Sequence, residues 1–380
     1  MNKMNVAVLG LGAMGGTHVE AAKKSPYVER IYGYEPEARV RATRSETLGI
    51  LPASLEEILG NPEIKLVYIA SPNETHVPLA VGCLRSGKAV MCEKPMGMNL
   101  AEAAELIDVA EATKGFLQIG FELRYSKLYQ QATAWIDEGL IGDVVNIQCR
   151  YYCSEFHNKN SWRSNSPGSF LIGEKLSHYL DLQRWWFEAS PENIYSVSAP
   201  KVVSYFHHRD NHQMIMKFRG GKVGTLNFIM YLAASLHHDP LLEAIEKQSD
   251  DGHYLQYHIC GTRGAIETDV FKRRVRRWEF TDSPICQESR IVESISYPPS
   301  EDLLSFHNTH GQNLRIAELV AHNRPPEMTA VDAFETMKLC FAAEKSENEG
   351  RIVRMDELLM RKTQEPFLRV KYSGTMPDIG

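Results

Sequence analysis

The sequence predicts an α/β protein with two domains: a doubly wound parallel sheet, then an α/β domain with a large, mostly antiparallel sheet that is open on one face. Three observations lead to this prediction. Short apolar runs alternate with amphipathic stretches up to about residue 122, a glycine-rich turn follows the first run, and long runs of alternating apolar and polar residues begin near residue 144. Strand-helix alternation is typical of a parallel sheet, and period-two alternation is typical of strands with one solvated face.

The strands of the first domain are predicted from the β-rich apolar runs NVAVLG, RIYGYE, LVYIAS, AVMCEK and FLQIGF. The predicted helices lie at 75–86, 99–114, 173–187, 310–322 and 330–347. We therefore expect a cofactor-binding domain at 1–124 and a substrate-binding and oligomerisation domain at 125–380. In an alternative arrangement, the C-terminal helices pack back on the first domain.

The composition is that of an ordinary soluble protein, because 43% of the 380 residues are hydrophobic and 24% are charged. The net charge of −6 argues against a broad surface for nucleic acid or for an anionic membrane. One basic run, KRRVRR at 272–277, alternates with apolar residues, and we interpret it as the solvated face of a strand.

The cysteines and the N-terminal segment bear on the compartment. The seven cysteines are odd in number and form no CxxC pair, which favours a reducing environment. The chain opens without a basic-then-apolar leader, and no apolar run of about 18 residues occurs in it. We therefore expect a cytoplasmic protein.

A glycine-rich turn joins the first predicted strand to a helix. It consists of Gly10, Gly12, Ala13, Met14 and Gly15, with Leu11 between the first two glycines. Glycines permit a tight turn and a close approach of the backbone to a ligand, and a helix N-terminus offers free N–H groups to a pyrophosphate. A turn of this kind that binds nothing is the alternative, but its position between strand and helix favours a dinucleotide site.

An acidic residue at the end of the second predicted strand indicates which dinucleotide is bound. Glu35 follows Gly15 by 20 residues, the usual position of a carboxylate that binds the ribose 2′-hydroxyl. A carboxylate there would repel a 2′-phosphate, so NAD is favoured over NADP. Arg39 and Arg41 lie close by and keep NADP as the less favoured alternative.

Two further strand ends carry polar residues at the carboxyl edge of the predicted sheet, where ligands bind in such folds. One end supplies Ser71, Pro72, Asn73 and His76, although Asn73 also suits a helix cap. The other supplies Glu93 and Lys94 before Pro95, a residue that disfavours helical geometry at Lys94. A surface lysine is the ordinary alternative, but Lys94 follows a strand beside a dinucleotide turn.

Several motifs along nearly the whole chain occur in one order: GLGAMG, SPNETH, EKP, GFELRY, WR, EKLSHYLD, CGTRGAIETD and AAEKSENEGRIV. In this the sequence resembles the Gfo/Idh/MocA family of oxidoreductases, which includes glucose-fructose oxidoreductase and inositol dehydrogenase. The resemblance implies an N-terminal Rossmann domain and a second α/β domain whose open sheet often makes oligomer contacts. A homodimer or homotetramer is therefore expected.

The resemblance also implies roles for individual residues. It places Lys94 between nicotinamide and substrate, and it matches His178 to the catalytic histidine of the family. Glu174 stands where relatives usually have Asp, and Glu122 stands where an asparagine is common. The expected cofactor-binding residues are Gly10, Gly12, Ala13, Met14, Gly15, Glu35, Ser71, Pro72, Asn73, His76, Glu93, Lys94, Glu122, Trp162 and Arg163.

The predicted helix near 173–187 carries the expected acid-base chemistry. Glu174 and His178 are four residues apart and share a helix face, and a carboxylate beside an imidazole fixes which nitrogen carries the proton. We expect His178 to be the general base, with Glu174 beside it, and Lys94 to stabilise the developing charge on the substrate oxygen. The expected substrate-binding residues are Lys94, Arg124, Lys175 and His178.

An amphipathic helix with its charges in water is the alternative interpretation, because the segment also has a large apolar face. In that case His178 would be a histidine satisfied beside the core. Asp181 is expected to anchor the helix rather than to take part in chemistry. Lys175 either pairs with an acid or reaches the substrate.

The remaining histidines do not form a convincing metal site. They occur at 207, 208, 212, 237, 238, 253 and 258, and adjacent histidines on a strand point to opposite faces. We therefore predict no metal, and propose only that some of these histidines line a sugar pocket.

Three functions remain open at this point. The first is a dehydrogenase that transfers a hydride between nicotinamide and a ring hydroxyl of a sugar, glycoside or cyclitol. The second is a glycoside-cleaving enzyme that uses NAD in a transient oxidation, elimination and re-reduction cycle. The third is a non-catalytic regulator that senses NAD, and the presence of Lys94 and His178 argues against it.

Overall fold

The computed structural model describes residues 3–154, 159, 164, 171–234 and 251–358. Contacts divide these residues into two compact units, one with 3–122 and 309–337 and the other with the remainder. The first segment of the first unit ends at Glu122, two residues before the predicted boundary. The unit also includes residues 309–337 from the C-terminal part of the chain.

The first unit contains a six-stranded parallel sheet in the order β3-β2-β1-β4-β5-β6. The strands are β1 (Met4–Leu9), β2 (Val28–Tyr34), β3 (Leu51–Pro52), β4 (Ile64–Ile69), β5 (Ala89–Cys92) and β6 (Leu117–Ile119). The helices are α1 (Ala13–Lys24), α2 (Ala38–Leu48), α3 (Leu55–Gly60), α4 (His76–Arg85), α5 (Leu100–Thr113) and α9 (Thr309–Ala321). The doubly wound parallel sheet is confirmed. Among its strands the pattern missed only the two-residue β3, and among the helices it did not predict α2 and α3.

Local sequence explains several of these boundaries. Nearly all of β1 is buried, as expected for a strand covered on both faces, which is why it is a continuous apolar run. Helix α3 begins with a capping box in which Ser54 and Glu57 satisfy each other's backbone N–H groups, and α5 begins with Asn99 as its N-cap. Helix α9 packs on α1, and its Ile316 and Ala317 complete the core of this unit.

The second unit contains a nine-stranded sheet in the order β14-β13-β12-β11-β7-β10-β9-β8-β15. The strands are β7 (Val144–Tyr152), β8 (Asn193–Val197), β9 (Asn211–Lys217), β10 (Val223–Ile229), β11 (Tyr254–Gly261), β12 (Gly264–Asp269), β13 (Arg274–Asp282), β14 (Gln287–Ser296) and β15 (Val353–Arg354). All neighbours are antiparallel except the parallel pair β7 and β10. The predicted, mostly antiparallel sheet is therefore confirmed.

The two faces of this sheet differ in burial. Along strands such as β7, β9 and β10, buried residues alternate with more exposed ones. Tyr129, Trp186 and Tyr257 pack edge to face on the covered side, with ring centroids 4.9–5.9 Å apart. On the other side, large apolar side chains such as Ile215 are exposed. The helices assigned to this unit, wholly or in part, are α6 (Lys127–Asp137), α7 (Ser177–Phe187), α8 (Asp302–Ser305) and α10 (Ala330–Glu349).

The basic run lies on β13 and the turn before it, and most of its charge is neutralised locally. Arg274 and Arg276 both bind the carboxylate of Glu267 on β12, and Arg277 binds Glu293 on β14. Within the described ranges, no helix has the length and apolar character needed to cross a membrane.

The glycine-rich turn generates a prediction about stability. A Cβ on Gly15 would lie 1.9 Å from the carbonyl oxygen of Gly10, whereas a Cβ on Gly12 would meet no atom within 4 Å. We expect Gly15→Ala to destabilise the first unit by about 3 kcal/mol because backbone must shift. Gly12→Ala is the matched control and should cost less than about 1 kcal/mol. Urea unfolding of the ligand-free variants checks this, and equal losses in both would contradict it.

Candidate functional site

Two hydrogen bonds hold the turn between β1 and α1, and a third fixes Glu35, the residue that follows β2. The Leu11 N–H donates to the carboxylate of Glu35. Arg44 Nε donates to the Leu11 carbonyl at 2.8 Å, and Arg41 Nη1 donates to the Glu35 carbonyl at 2.7 Å. Glu35 therefore lies at the turn, as its spacing predicted, and its carboxylate is directed by a backbone donor.

The space beside the turn fits a dinucleotide. Gly12 is the N-cap of α1, and the first turn of this helix contains no acidic residue that would repel a phosphate. Because a side chain at Gly12 would meet no protein atom, its lack of a Cβ leaves room for a ligand rather than for packing. The turn thus combines free helix N–H groups with open space, the two features that pyrophosphate binding requires.

His76 joins two of the loops at the carboxyl edge of the same sheet. Its Nε2 lies 2.9 Å from the carbonyl oxygen of Ser71, and its Nδ1 lies 2.9 Å from that of Pro95. Burial lowers the pKa of His76, and the two carbonyls partly offset this. A neutral ring donates to only one carbonyl. Both contacts are to backbone, so the structure supports a role for His76 in fixing these loops.

A buried chain of hydrogen bonds ends at Glu93. Asn313 Nδ2 lies 2.7 Å from His18 Nδ1, and His18 Nε2 lies 3.1 Å from Glu93 Oε1. With the amide donating to Nδ1, the imidazole proton is on Nε2 and is donated to the carboxylate. Tyr68 stacks on the imidazole with ring centroids 5.5 Å apart. The chain fixes the side chain of the residue that directly precedes Lys94.

Sequence reasoning did not find His18 or Asn313. His18 lies one helical turn after Gly15, which was an available signal, since this position on α1 faces the sheet. Asn313 offered no local signal, because it is 295 residues from His18 and meets it only through the packing of α9 on α1.

Lys94 is half-buried and lies two residues after the end of β5, before a cis peptide bond to Pro95. Its charge acts on His76, whose pKa it lowers slightly. Lys94 therefore belongs to the same group of residues as Glu93 and His76. The buried residues Asn73 and Glu122 lie at the ends of β4 and β6 in the same unit.

In the second unit, the segment with Glu174 and His178 is helical but begins with a π-helical turn, Ile172–Leu176, before α7. Such turns occur often at functional sites, and they change which residues share a helix face. Every residue of α7 is buried, and Glu174 and His178 are only 7% and 2% exposed. The alternative of an amphipathic helix with its charges in water is therefore wrong.

Asp181 anchors this helix. Arg124 donates from Nε and Nη2 to the two carboxylate oxygens of Asp181, each at 2.7 Å, and the guanidinium also lies over the Trp185 ring at 5.6 Å. This bidentate geometry is favourable for a buried ion pair. Arg124 is thereby held in place, and its role in substrate binding remains a prediction.

Two histidines lie close to the predicted acid-base pair in the second unit. The His178 and His307 rings meet edge to face with centroids 5.9 Å apart, and His307 was not found from the sequence. Burial lowers the pKa of His208, and the nearby negative charge of Glu174 partly offsets this. Lys175 is half-buried, and its charge acts on the thiol of Cys153.

Several other residues singled out in the sequence either lie outside the described ranges or pair with acids. Trp162, Arg163, His237 and His238 lie outside the described residues. Three histidines pair with acids: His212 with Glu347, His253 with Asp251 and His258 with Glu267, at 2.7, 3.0 and 3.5 Å. Among the residues that the structure describes, no group of three or more His, Cys, Asp or Glu side chains could hold a metal ion.

Comparisons with known proteins agree with this architecture. A model of the Gfo/Idh/MocA oxidoreductase family's NAD-binding Rossmann fold matches residues 4–121, and a model of its C-terminal alpha/beta domain matches residues 134–355. The chain is 30% identical over 206 residues to an inositol 2-dehydrogenase of Rhodococcus jostii, which is 52% of each chain. It is 23% identical over 364 residues to a myo-inositol 2-dehydrogenase of Thermotoga maritima, covering 94% of this chain and 100% of that protein.

The match to the Rhodococcus jostii protein spans about half the length of that relative. Among solved structures, a levoglucosan dehydrogenase in complex with NADH superposes with a TM-score of 0.76 over 93% of this chain and 99% of that chain. At 19% identity this likeness concerns the fold. Because the two family models together match most of the sequence, the chain belongs to the Gfo/Idh/MocA family of oxidoreductases with an NAD-binding Rossmann fold.

Proposed function

We propose that the protein is an NAD-dependent dehydrogenase that transfers a hydride between nicotinamide and a ring hydroxyl carbon of a sugar, glycoside or cyclitol. The observation that carries the proposal is the arrangement in the first unit, where Glu35 is held at the glycine-rich turn while Glu93 and Lys94 follow β5 at the same edge of the sheet. The relatives named inositol 2-dehydrogenase and levoglucosan dehydrogenase support this class of substrate.

In the proposed reaction, NAD supplies the acceptor for the hydride that leaves the substrate carbon. His178 accepts the hydroxyl proton, so that the C–O single bond becomes a carbonyl. Lys94 donates a hydrogen bond to the same oxygen and stabilises the negative charge that develops on it. Glu174 orients the imidazole and favours its protonated form. In the reverse direction His178 returns the proton.

Cofactor choice follows from Glu35. Its carboxylate is fixed by the Leu11 N–H, so it cannot turn away from a bound ribose without losing that bond. A carboxylate in this position accepts from a 2′-hydroxyl and repels a 2′-phosphate. We therefore propose NAD as the physiological cofactor, with NADP binding more weakly.

Removal of the two proposed catalytic groups tests the mechanism. We expect Lys94→Ala and His178→Ala each to lower kcat by about 10²- to 10⁴-fold, because a proton acceptor or an oxyanion partner is lost. NADH binding should change little in His178→Ala. The controls are Lys23→Ala and His322→Ala at surface positions. The measurement uses NAD with a panel of monosaccharides, glycosides and cyclitols, and follows reduced cofactor and product masses.

Undiminished turnover in both variants would contradict the proposed mechanism. Release of an aglycone without net formation of NADH would instead indicate a glycoside-cleaving cycle. Binding of NADH without turnover of any panel compound, or of its keto form, would count against a dehydrogenase.

The role of Glu35 is tested by Glu35→Ser. We expect the ratio of kcat/KM for NAD to that for NADP to fall at least about tenfold, a change of about 1.4 kcal/mol in relative transition-state binding. Glu37→Ser removes an exposed carboxylate two residues away and should leave the ratio unchanged. A ratio that is equally affected by both substitutions, or by neither, would refute the assignment.

The chain from Asn313 to Glu93 is tested through His18, which we propose as a positioning residue for cofactor binding. His18→Leu leaves the buried Glu93 carboxylate without its donor. We expect the NADH Kd to rise about tenfold, because a buried charged group that loses its hydrogen bond is no longer held in one position. His18→Gln retains an N–H donor and should restore much of the affinity. A Kd that is raised equally in both variants would indicate a purely structural role.

A further inference from the structure

A cavity lies at the amino edge of the first sheet, the edge opposite to the glycine-rich turn. Its volume is about 740 Å³, which is in the range of small-molecule sites. It is bounded by the beginnings of the strands, including Met4 of β1 and Ala89 of β5, and by residues that follow α9. We call it the amino-edge cavity. Since ligands of doubly wound sheets bind at the carboxyl edge, this cavity is separate from the candidate active site.

The charged residues that line the amino-edge cavity are all cations. They are Lys3, Lys65, Lys88, Lys114 and Arg324, and the lining contains no Asp or Glu. None of the five takes part in an ion pair with another described residue. The chain as a whole has a net charge of −6, so this concentration of positive charge runs against the overall balance. A cavity that focuses one sign of charge raises the local concentration of the opposite ion.

Lys88 is the most informative of these cations. Only 4% of it is exposed, and its ammonium, which has three hydrogens, makes one hydrogen bond in the described structure, to the Asn61 carbonyl. Burial lowers its pKa, and the nearby Lys65 lowers it further by repulsion. A buried ammonium without a counter-ion is costly, and an anion in the cavity would relieve both effects.

The rest of the lining indicates what kind of anion fits. Met4, Leu84, Phe116 and Val320 provide an apolar surface next to the cations. Compact phosphate esters combine two or more oxygens for ammonium and guanidinium donors with a body that can contact such a surface. A nucleic-acid backbone needs an extended basic surface, whereas this site is concave and confined to one edge of the unit.

We propose that the amino-edge cavity binds a small phosphorylated metabolite through Lys65, Lys88, Lys114 and Arg324. The inference does not depend on the proposed dehydrogenase activity. It concerns a different edge of the sheet, and it can be tested by binding alone.

The test is isothermal titration of the full chain with inorganic pyrophosphate at constant ionic strength, with NADH present in excess. The cofactor occupies the glycine-rich turn, so pyrophosphate bound there is displaced. We expect one saturable site with a Kd below about 1 mM, and at least about tenfold weaker binding in Lys65→Met and Lys114→Met, which replace exposed residues. Lys23→Met and Lys345→Met, on other surfaces, are the matched controls and should bind as the parent protein does.

A second ligand and a third cavity variant test the same site. Glucose 6-phosphate should displace pyrophosphate from this site while glucose should not, because the phosphate supplies the attraction. Lys88→Met should also weaken binding of pyrophosphate, and thermal unfolding of this variant checks that it folds. The proposal is overturned if no saturable binding of pyrophosphate survives in excess NADH, if the controls lose as much affinity as the cavity variants, or if glucose displaces pyrophosphate as well as its phosphate does.

Discussion

The close approach of Gly15 to the carbonyl of Gly10 is the constraint on which the first unit depends. Any Cβ at position 15 would lie only 1.9 Å from that oxygen, so glycine alone lets α1 begin directly against β1. The position of α1 then decides three other contacts. It continues the turn whose Leu11 N–H donates to Glu35, it places His18 against Glu93, and it forms the surface on which α9 brings in Asn313.

In the second unit, a buried ion pair positions the helix that carries His178. The pair of Arg124 and Asp181 is almost fully enclosed, and such a pair adds little net stability because desolvation offsets the attraction. The two hydrogen bonds of the pair nevertheless hold α7 at one rotation about its axis. That rotation determines where His178 points, and the π-helical turn before α7 sets the position of Glu174 independently.

The two edges of the parallel sheet have opposite electrostatic character. At the carboxyl edge, a carboxylate is supported by an imidazole and a lysine follows directly, so charges are balanced within a few residues. At the amino edge, cations gather without acids among them. The strands fix the separation of these edges, and a core of apolar side chains fills the space between them.

The sequence by itself determined the fold class, because the periods of hydrophobicity and the glycine-rich turn are local properties. It also predicted three site residues, Glu35 and Lys94 from their positions after strands and His178 from the family resemblance. It could not determine that α7 is wholly buried, that Arg124 pairs with Asp181, or that His18, Asn313 and His307 lie beside predicted site residues. Only the tertiary structure decided these contacts, since they join residues far apart in the chain whose meeting depends on how helices pack, and packing leaves no short-range pattern.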